Sequence, residues 1–167
     1  SDKTLSGAIT VTAGSIKLDE TGTLASTISM SGGVLDADES STVSGTLTQS
    51  GAITLDVAET KTLTYTGTAI SLGANTLTLS GGGSLVSGGL TLNDPSSMLL
   101  LNSITVDSVS TTSYSLGLDV DADSTVTSLS VAHITPVSIA SGKILSGGIT
   151  VTAGSIKLDE TGTLAST

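Results

Sequence analysis

Apolar and hydroxyl side chains alternate along most of this chain. Ala8-Ile9-Thr10-Val11-Thr12, Leu77-Thr78-Leu79 and Ile104-Thr105-Val106 are examples. A period of two places successive side chains on opposite sides of an extended backbone, so each run predicts a strand with one buried face. Val and Thr also suit a pleated surface. No stretch of a dozen residues carries apolar positions at spacings of three and four without a Gly or a Ser/Thr run, so no helix is expected. No apolar run approaches the ~18 residues that a membrane-spanning helix needs, and membrane insertion is not expected.

A long repeat organises these strands. Residues 5–27 read LSGAITVTAGSIKLDETGTLAST and residues 145–167 read LSGGITVTAGSIKLDETGTLAST. The two segments are offset by 140 residues and differ only at Ala8 against Gly148. Duplication accounts for such identity and chance does not. The chain opens Ser1-Asp2-Lys3, without Met or a secretory leader. Ends that fall inside a repeat point to a window on a longer tandem array.

A shorter repeat lies within the long one. A polar corner precedes an apolar residue at Leu5, Leu24, Val43, Leu63, Leu85, Leu99, Val126 and Leu145. The intervals are 19, 19, 20, 22, 14, 27 and 19 residues, giving seven short units that average 20. Leu99 is out of step, and one displaced marker there explains both the 14 and the 27. A unit of this size holds two or three short strands and cannot bury its own apolar face. Stacked copies can, each strand pairing with its equivalent one turn later. The expected fold is therefore all-β: a parallel β-solenoid, or β-helix, of about 20 residues per coil and seven coils per 140-residue repeat. Residues 1–167 form one continuous solenoid segment in this reading. The competing fold is an immunoglobulin-like sandwich, which would have no reason to repeat every 20 residues and usually buries an aromatic anchor.

Composition changes the picture in three ways. Twenty-nine Ser, 29 Thr and 20 Gly make up almost half of the 167 residues, which suggests disorder. The mean hydropathy of +0.38 and the alternation of Leu, Val and Ile argue against it. Phe, Trp and Cys are absent, so there is no disulfide framework and no thiolate metal site. A narrow stacked core explains the missing rings, since each inward side chain must tolerate a near-copy of itself one coil above. The five basic residues are all Lys, against 15 Asp and Glu, for a net charge of -10. That charge repels nucleic acid and anionic membrane surfaces, and without Arg the bidentate clamp for phosphate or carboxylate is missing.

The stretch Ser71-Leu72-Gly73-Ala74-Asn75-Thr76-Leu77-Thr78-Leu79-Ser80-Gly81-Gly82-Gly83-Ser84-Leu85 resembles the passenger regions of autotransporters. It is also similar to filamentous-haemagglutinin-type adhesins and other repetitive bacterial surface proteins. The resemblance is one of composition and period and covers most of the chain. It implies secreted, elongated parallel β-helices that serve as stalks, adhesins or filaments at the cell surface.

Candidate chemistry is sparse. Asp119, Asp121 and Asp123 alternate like the start of a calcium loop, which wants several hard oxygen ligands. The pattern fails where Ser124 replaces the turn Gly and Ser130 the late Glu. Asp36, Asp38 and Glu39 form a similar cluster. Asp19, Asp36, Asp56, Asp119 and Asp159 are expected to stack along one corner as a hydrated acidic edge. Ca²⁺ at Asp119, Asp121, Asp123, Asp36 and Asp38 is the alternative, and no other cofactor is expected. His133 is the sole histidine and lacks the nucleophile and orienting acid of a catalytic imidazole. The Thr-x-Thr pairs Thr10/Thr12, Thr46/Thr48, Thr76/Thr78 and Thr125/Thr127 sit at different offsets from the markers and are expected on more than one face. The lysines lie near acids, as in Lys17-Leu18-Asp19 and Lys157-Leu158-Asp159, and read as solvated surface ion pairs.

These features point to a structural segment of an elongated extracellular filament, stalk or surface fibre built from tandem repeats. It is expected not to be an enzyme. Its partners would be copies of itself, end to end or as one continuous array, with lateral bundling into fibres limited by the negative charge. The alternative is an adhesin whose solenoid face recognises glycan or a partner protein. A polysaccharide-active β-helix enzyme is the third reading, disfavoured by the missing Arg and missing aromatic sugar platforms.

Overall fold

A computed structural model describes residues 3–112, 117–132 and 136–166. The described residues form 22 β-strands and no helix. They wind into eight parallel coils, each contributing to three faces, A, B and C, in that order. Coil one holds β1 (Lys3–Leu5), β2 (Ala8–Val11) and β3 (Ser15–Leu18). Coil two holds β4 (Gly22–Leu24), β5 (Thr27–Met30) and β6 (Val34–Ala37), and coil three β7 (Ser41–Val43), β8 (Leu47–Gln49) and β9 (Ile53–Val57). Coil four holds β10 (Thr62–Tyr65), β11 (Ile70–Ser71) and β12 (Thr76–Ser80), and coil five β13 (Ser84–Val86), β14 (Leu90–Leu92) and β15 (Met98–Asn102).

From coil six on, the strands of faces A and B fuse. Coil six has β16 (Thr105–Thr111) and β17 (Gly117–Val120), coil seven β18 (Ser124–Ala132) and β19 (Val137–Ile139), and coil eight β20 (Ile144–Ala153) and β21 (Ile156–Leu158). A final face-A strand, β22 (Thr163–Ser166), follows. All registered strand pairs are parallel, and the face-A ladder runs unbroken from β1 to β22. The β-solenoid expected from the 20-residue period is thus the observed fold. At ~4.8 Å per coil, seven coils rise about 34 Å.

The core is a set of aliphatic ladders. On face C one column runs Ile16, Leu35, Leu55, Leu79, Leu101, Val120, Ile139, Leu158. Most outward neighbours in the same strands are Ser, Thr, Asp or Lys, as the alternation predicts, with Val34, Met98, Leu100 and Asn102 the exceptions. Along most of the solenoid strand edges are paired coil to coil, for example Ala25 N–H to Leu5 O at 2.8 Å.

The markers do not all stack on one another. Leu99 belongs to face C, between Leu77 and Leu118. The residue in register with Leu85 is Val106, followed by Val126, at intervals of 21 and 20. The irregular 14 and 27 of the sequence spacing vanish with this correction. Two further displacements are real. Val43 pairs with Tyr65 while Leu63 pairs with Ser41, and Leu145 pairs with Ser124 rather than with Val126. On face C the same displacement falls at β9, which turns three residues inward, Ile53, Leu55 and Val57. Leu18, Ala37 and Val57 form the second inward column up to that coil, and Ile53, Leu77, Leu99, Leu118, Val137 and Ile156 from there on. Both marker displacements are two residues, so the inward sense of the markers is kept; one-residue shifts occur between β18 and β20, at irregularities between Val126 and Ser128 and between Val131 and Ala132.

The slip between coils three and four opens a seam on face B. There β8 pairs only with β5, and β11 only with β14. Side chains take the place of the ladder. Tyr65, a buried ring in a core otherwise free of rings among the described residues, accepts the Leu47 N–H on its hydroxyl at 3.0 Å. Asn75 Nδ2 donates to Gln49 O at 3.4 Å and to Leu72 O at 3.0 Å, and Gln49 Nε2 donates to Thr76 O at 2.6 Å. Gln49 Oε1 is buried there without a partner. The narrow stack therefore admits an aromatic where the coils part.

Candidate functional site

Charge is concentrated on face C and the corner that follows it. The outward column beside the Ile16 ladder reads Lys17, Asp36, Asp56, Ser80, Asn102. Asp36 and Asp56 are stacked neighbours, and the Ser80 hydroxyl donates to Asp56 Oδ1 at 2.9 Å. Asp119 lies two residues away, in the column of Thr54, Thr78 and Leu100. Asp19 and Asp159 sit just past the ends of β3 and β21. The five acids expected at one corner are thus divided between two face-C columns and a corner, with uncharged residues interposed.

Burial first, and the neighbouring Asp38 second, raise the carboxyl of Asp36 above its ordinary value; Lys17 opposes them. Lys17 Nζ lies 2.6 Å from Asp38 and 3.8 Å from Asp36, both in the following coil. That contact holds the Asp38 carboxyl below its ordinary value and raises the Lys17 amine. The local pair expected from Lys17-Leu18-Asp19 therefore gives way to one across coils, whereas Lys157 does pair with Asp159 at 2.8 Å. Lys61 reaches back to Glu39 at 2.6 Å. These are exposed or half-exposed pairs of small individual weight.

The calcium candidates have other engagements. Asp119 is raised by burial, partly offset by a hydrogen bond from Ser138. Asp123 Oδ1 accepts the Ile144 N–H at 2.9 Å. Asp121 is exposed beyond the end of β17. Among the described residues no group of three or more acidic or histidine side chains is arranged to hold a metal ion. His133 and Tyr114 lie outside the described residues.

Faces A and B are clad in hydroxyls. Thr10, Ser29 and Thr48 align on face B, as do Ser71, Thr91, Ser110, Ser130 and Thr150 beyond the seam. On face A, Thr4, Thr23, Thr42 and Thr64 form one column, and Thr62, Ser84, Thr105, Thr125 and Ser146 its neighbour. A shallow polar depression of about 260 Å³ lies among Thr23, Ser40, Thr42, Thr62 and Thr64. Of the adjacent Thr pairs, Thr10 and Thr48 share face B, Thr76 and Thr78 lie on face C, and Thr125 and Thr127 on face A. The longer columns are invisible to a search for adjacent pairs, because their members are 19 to 22 residues apart.

Asp107 is a residue that sequence reasoning missed. Its carboxylate accepts from Ser87 N at 3.0 Å, Gly88 N at 2.8 Å, Ser87 Oγ at 3.1 Å and Ser108 N at 2.8 Å. It fastens the corner of coil five, where Gly88 and Gly89 take positive φ, onto coil six. A single Asp in a Ser-rich run carries no spacing signal for this.

The two ends differ from the body. A cavity of about 280 Å³ at coil one is lined by Leu5, Ile16, Leu18, Leu24 and neighbouring polar residues. Leu5 is 57% exposed there, while Val151 and Leu158 are 45% and 47% exposed on coil eight. No protein-family model, curated protein or solved structure matches this chain.

Proposed function

We propose that the chain is a structural segment of an elongated tandem array, a rod of stacked coils serving as filament, stalk or surface fibre outside the cell. The observation that carries this reading is the relation between the repeat and the coils. Coil eight repeats the sequence of coil one and packs on coil seven through the same ladders that run through the body. A further unit needs no linker and no new interface; it continues the three sheets. The hydroxyl-clad faces keep such a rod hydrated, and its acids discourage side-by-side pairing. The resemblance to repetitive surface proteins supports the extracellular setting.

The test is a length series. Chains of one, two and three 140-residue units, measured by small-angle X-ray scattering and electron microscopy, should lengthen by ~34 Å per unit at constant width. Separate compact beads joined by flexible links would overturn the reading.

A further inference from the structure

We propose that the turn Asp94-Pro95-Ser96-Ser97 is a self-cleaving corner, where the Asp94 carboxyl cuts the Asp94–Pro95 peptide bond in mild acid. This goes beyond the tandem rod and does not rest on it, since the coils stack whether or not this bond is intact.

The sequence supplies the reactive pair. Asp94–Pro95 is the one Asp-Pro bond in the chain. Beside other residues, an Asp carboxyl is open to attack by the backbone N–H that follows it. Pro has no N–H, so that route is closed. What remains is attack by the carboxyl on its own main-chain carbonyl carbon, within one residue, where proximity needs no binding step.

The fold sets the pair up. The corner joins β14 to β15, with Asp94 half-buried and Pro95 and Ser96 exposed to water. Ser96 N–H donates to Asp94 Oδ1 at 2.8 Å, which folds the carboxyl back along the bond to be cut. The Asp94 carbonyl oxygen accepts twice from Ser97, from its N–H at 3.0 Å and from its hydroxyl at 2.7 Å. A β-turn needs only the N–H; the hydroxyl, on a fully buried residue, is the addition. Ser97 O in turn accepts Gly117 N–H at 3.4 Å from coil six, and Met98 N–H donates to Asn75 O at 3.1 Å in coil four. On the other flank, Asn93 Oδ1 accepts from the Ser71 hydroxyl and the Gly73 N–H. Both sides of the bond are thus fixed, and two held donors meet the oxygen on which negative charge develops.

The reaction consumes one water. A carboxyl oxygen bonds to the Asp94 carbonyl carbon and closes a five-membered anhydride. The C–N bond breaks, and the carboxyl proton passes to the Pro95 nitrogen, which leaves as a secondary amine. Water then opens the anhydride and leaves Asp94 with two carboxyl groups. Residues 72–75 and 112–116, the segments at this position of coils four and six, contain no Asp, Glu, Lys, Arg or His. Asp94 is therefore the group of this corner that acid titrates. After the cut β14 keeps its pairing to β11 and β16, and β15 its pairing to β12 and β17, so the coils hold together.

The test follows the intact mass of the full chain from pH 7 to pH 4, folded and in urea. Residues 1–94 and 95–167 should accumulate as pH falls, about tenfold or more faster in the folded protein. The two pieces should co-elute on size exclusion without urea. Asp94→Asn should abolish the cut. Ser97→Ala, shown to be folded by circular dichroism, should slow it about tenfold or more. A folded chain cut no faster than the unfolded one, a comparison that needs no variant, reduces the corner to an ordinary acid-labile bond and overturns the proposal. Cleavage of Asp94→Asn or of folded Ser97→Ala at the parental rate overturns it as well.

Discussion

The hydroxyl of Tyr65 accepts the backbone N–H of Leu47 at 3.0 Å, where the face-B ladder is interrupted between coils three and four. A side chain here does what a backbone carbonyl does elsewhere along the solenoid. Tyr65→Phe keeps the ring and removes the acceptor, leaving a buried donor unpaired at a cost of about 1–3 kcal/mol. We expect the melting temperature to fall by several degrees and the Leu47 amide to lose hydrogen-exchange protection ahead of the flanking coils. Gly67→Ala should act at the same place, since its Cβ would fall 2.5 Å from the Tyr65 hydroxyl and from Gly45 O.

Asp107 joins coils five and six through three hydrogen bonds from Ser87 and Gly88, and accepts a fourth from the adjacent Ser108 N–H. Asp107→Ala should destabilise by about 1.5–3 kcal/mol, the range for hydrogen bonds to a charged group. Chemical denaturation would show it as a lower midpoint. Asp107→Asn, which keeps one carbonyl oxygen, should recover part of the loss. Equal stability of all three proteins would deny the carboxylate this anchoring role.

The aliphatic ladders predict an asymmetry between ring and chain. Leu99 is fully buried between Leu77 and Leu118, so Leu99→Phe should force side chains off their rotamers and cost about 1–3 kcal/mol. Leu99→Met, close in volume, should cost less than ~1.5 kcal/mol. Thermal melts of the two variants decide between them, and a Phe variant as stable as the parent would remove stacking as the reason for the missing aromatics.

Acid titration should show two opposed effects. Asp36 and Asp119 have folded carboxyls raised above the unfolded value of 3.8, chiefly by burial. Their contribution is fully present below that value and is lost as pH rises through the folded one, so mild acidification from neutral pH should stabilise the fold. Asp38, lowered by Lys17, works the other way: its contribution is present above 3.8 and is lost as pH falls through its lowered value. Asp119→Asn should raise the melting temperature slightly at pH 7, by about 1–2 °C for ~0.5 kcal/mol, and flatten the gain on mild acidification. Melts from pH 7 to pH 3 check the sign.

What the amino-acid sequence settled by itself is the class of fold and the sense of most side chains. Alternation along Ile53-Thr54-Leu55 or Leu77-Thr78-Leu79 states which residues face in, and the near-identical segments 5–27 and 145–167 state that coils recur. What only the tertiary structure decided is register. Alternation has a period of two, so a strand displaced by two residues presents the same pattern, and Leu63 beside Ser41 is as consistent with it as Leu63 beside Val43. Leu99, an apolar residue after a polar corner, looked like its neighbours in sequence although it stands on another face. Asp107 and Tyr65 were equally silent, because each accepts from backbone N–H groups of the preceding coil that it meets only after the chain has completed another turn. The partners of Lys17 were hidden for the same reason: in sequence its nearest acid is Asp19, while in space the next coil brings Asp38 closer.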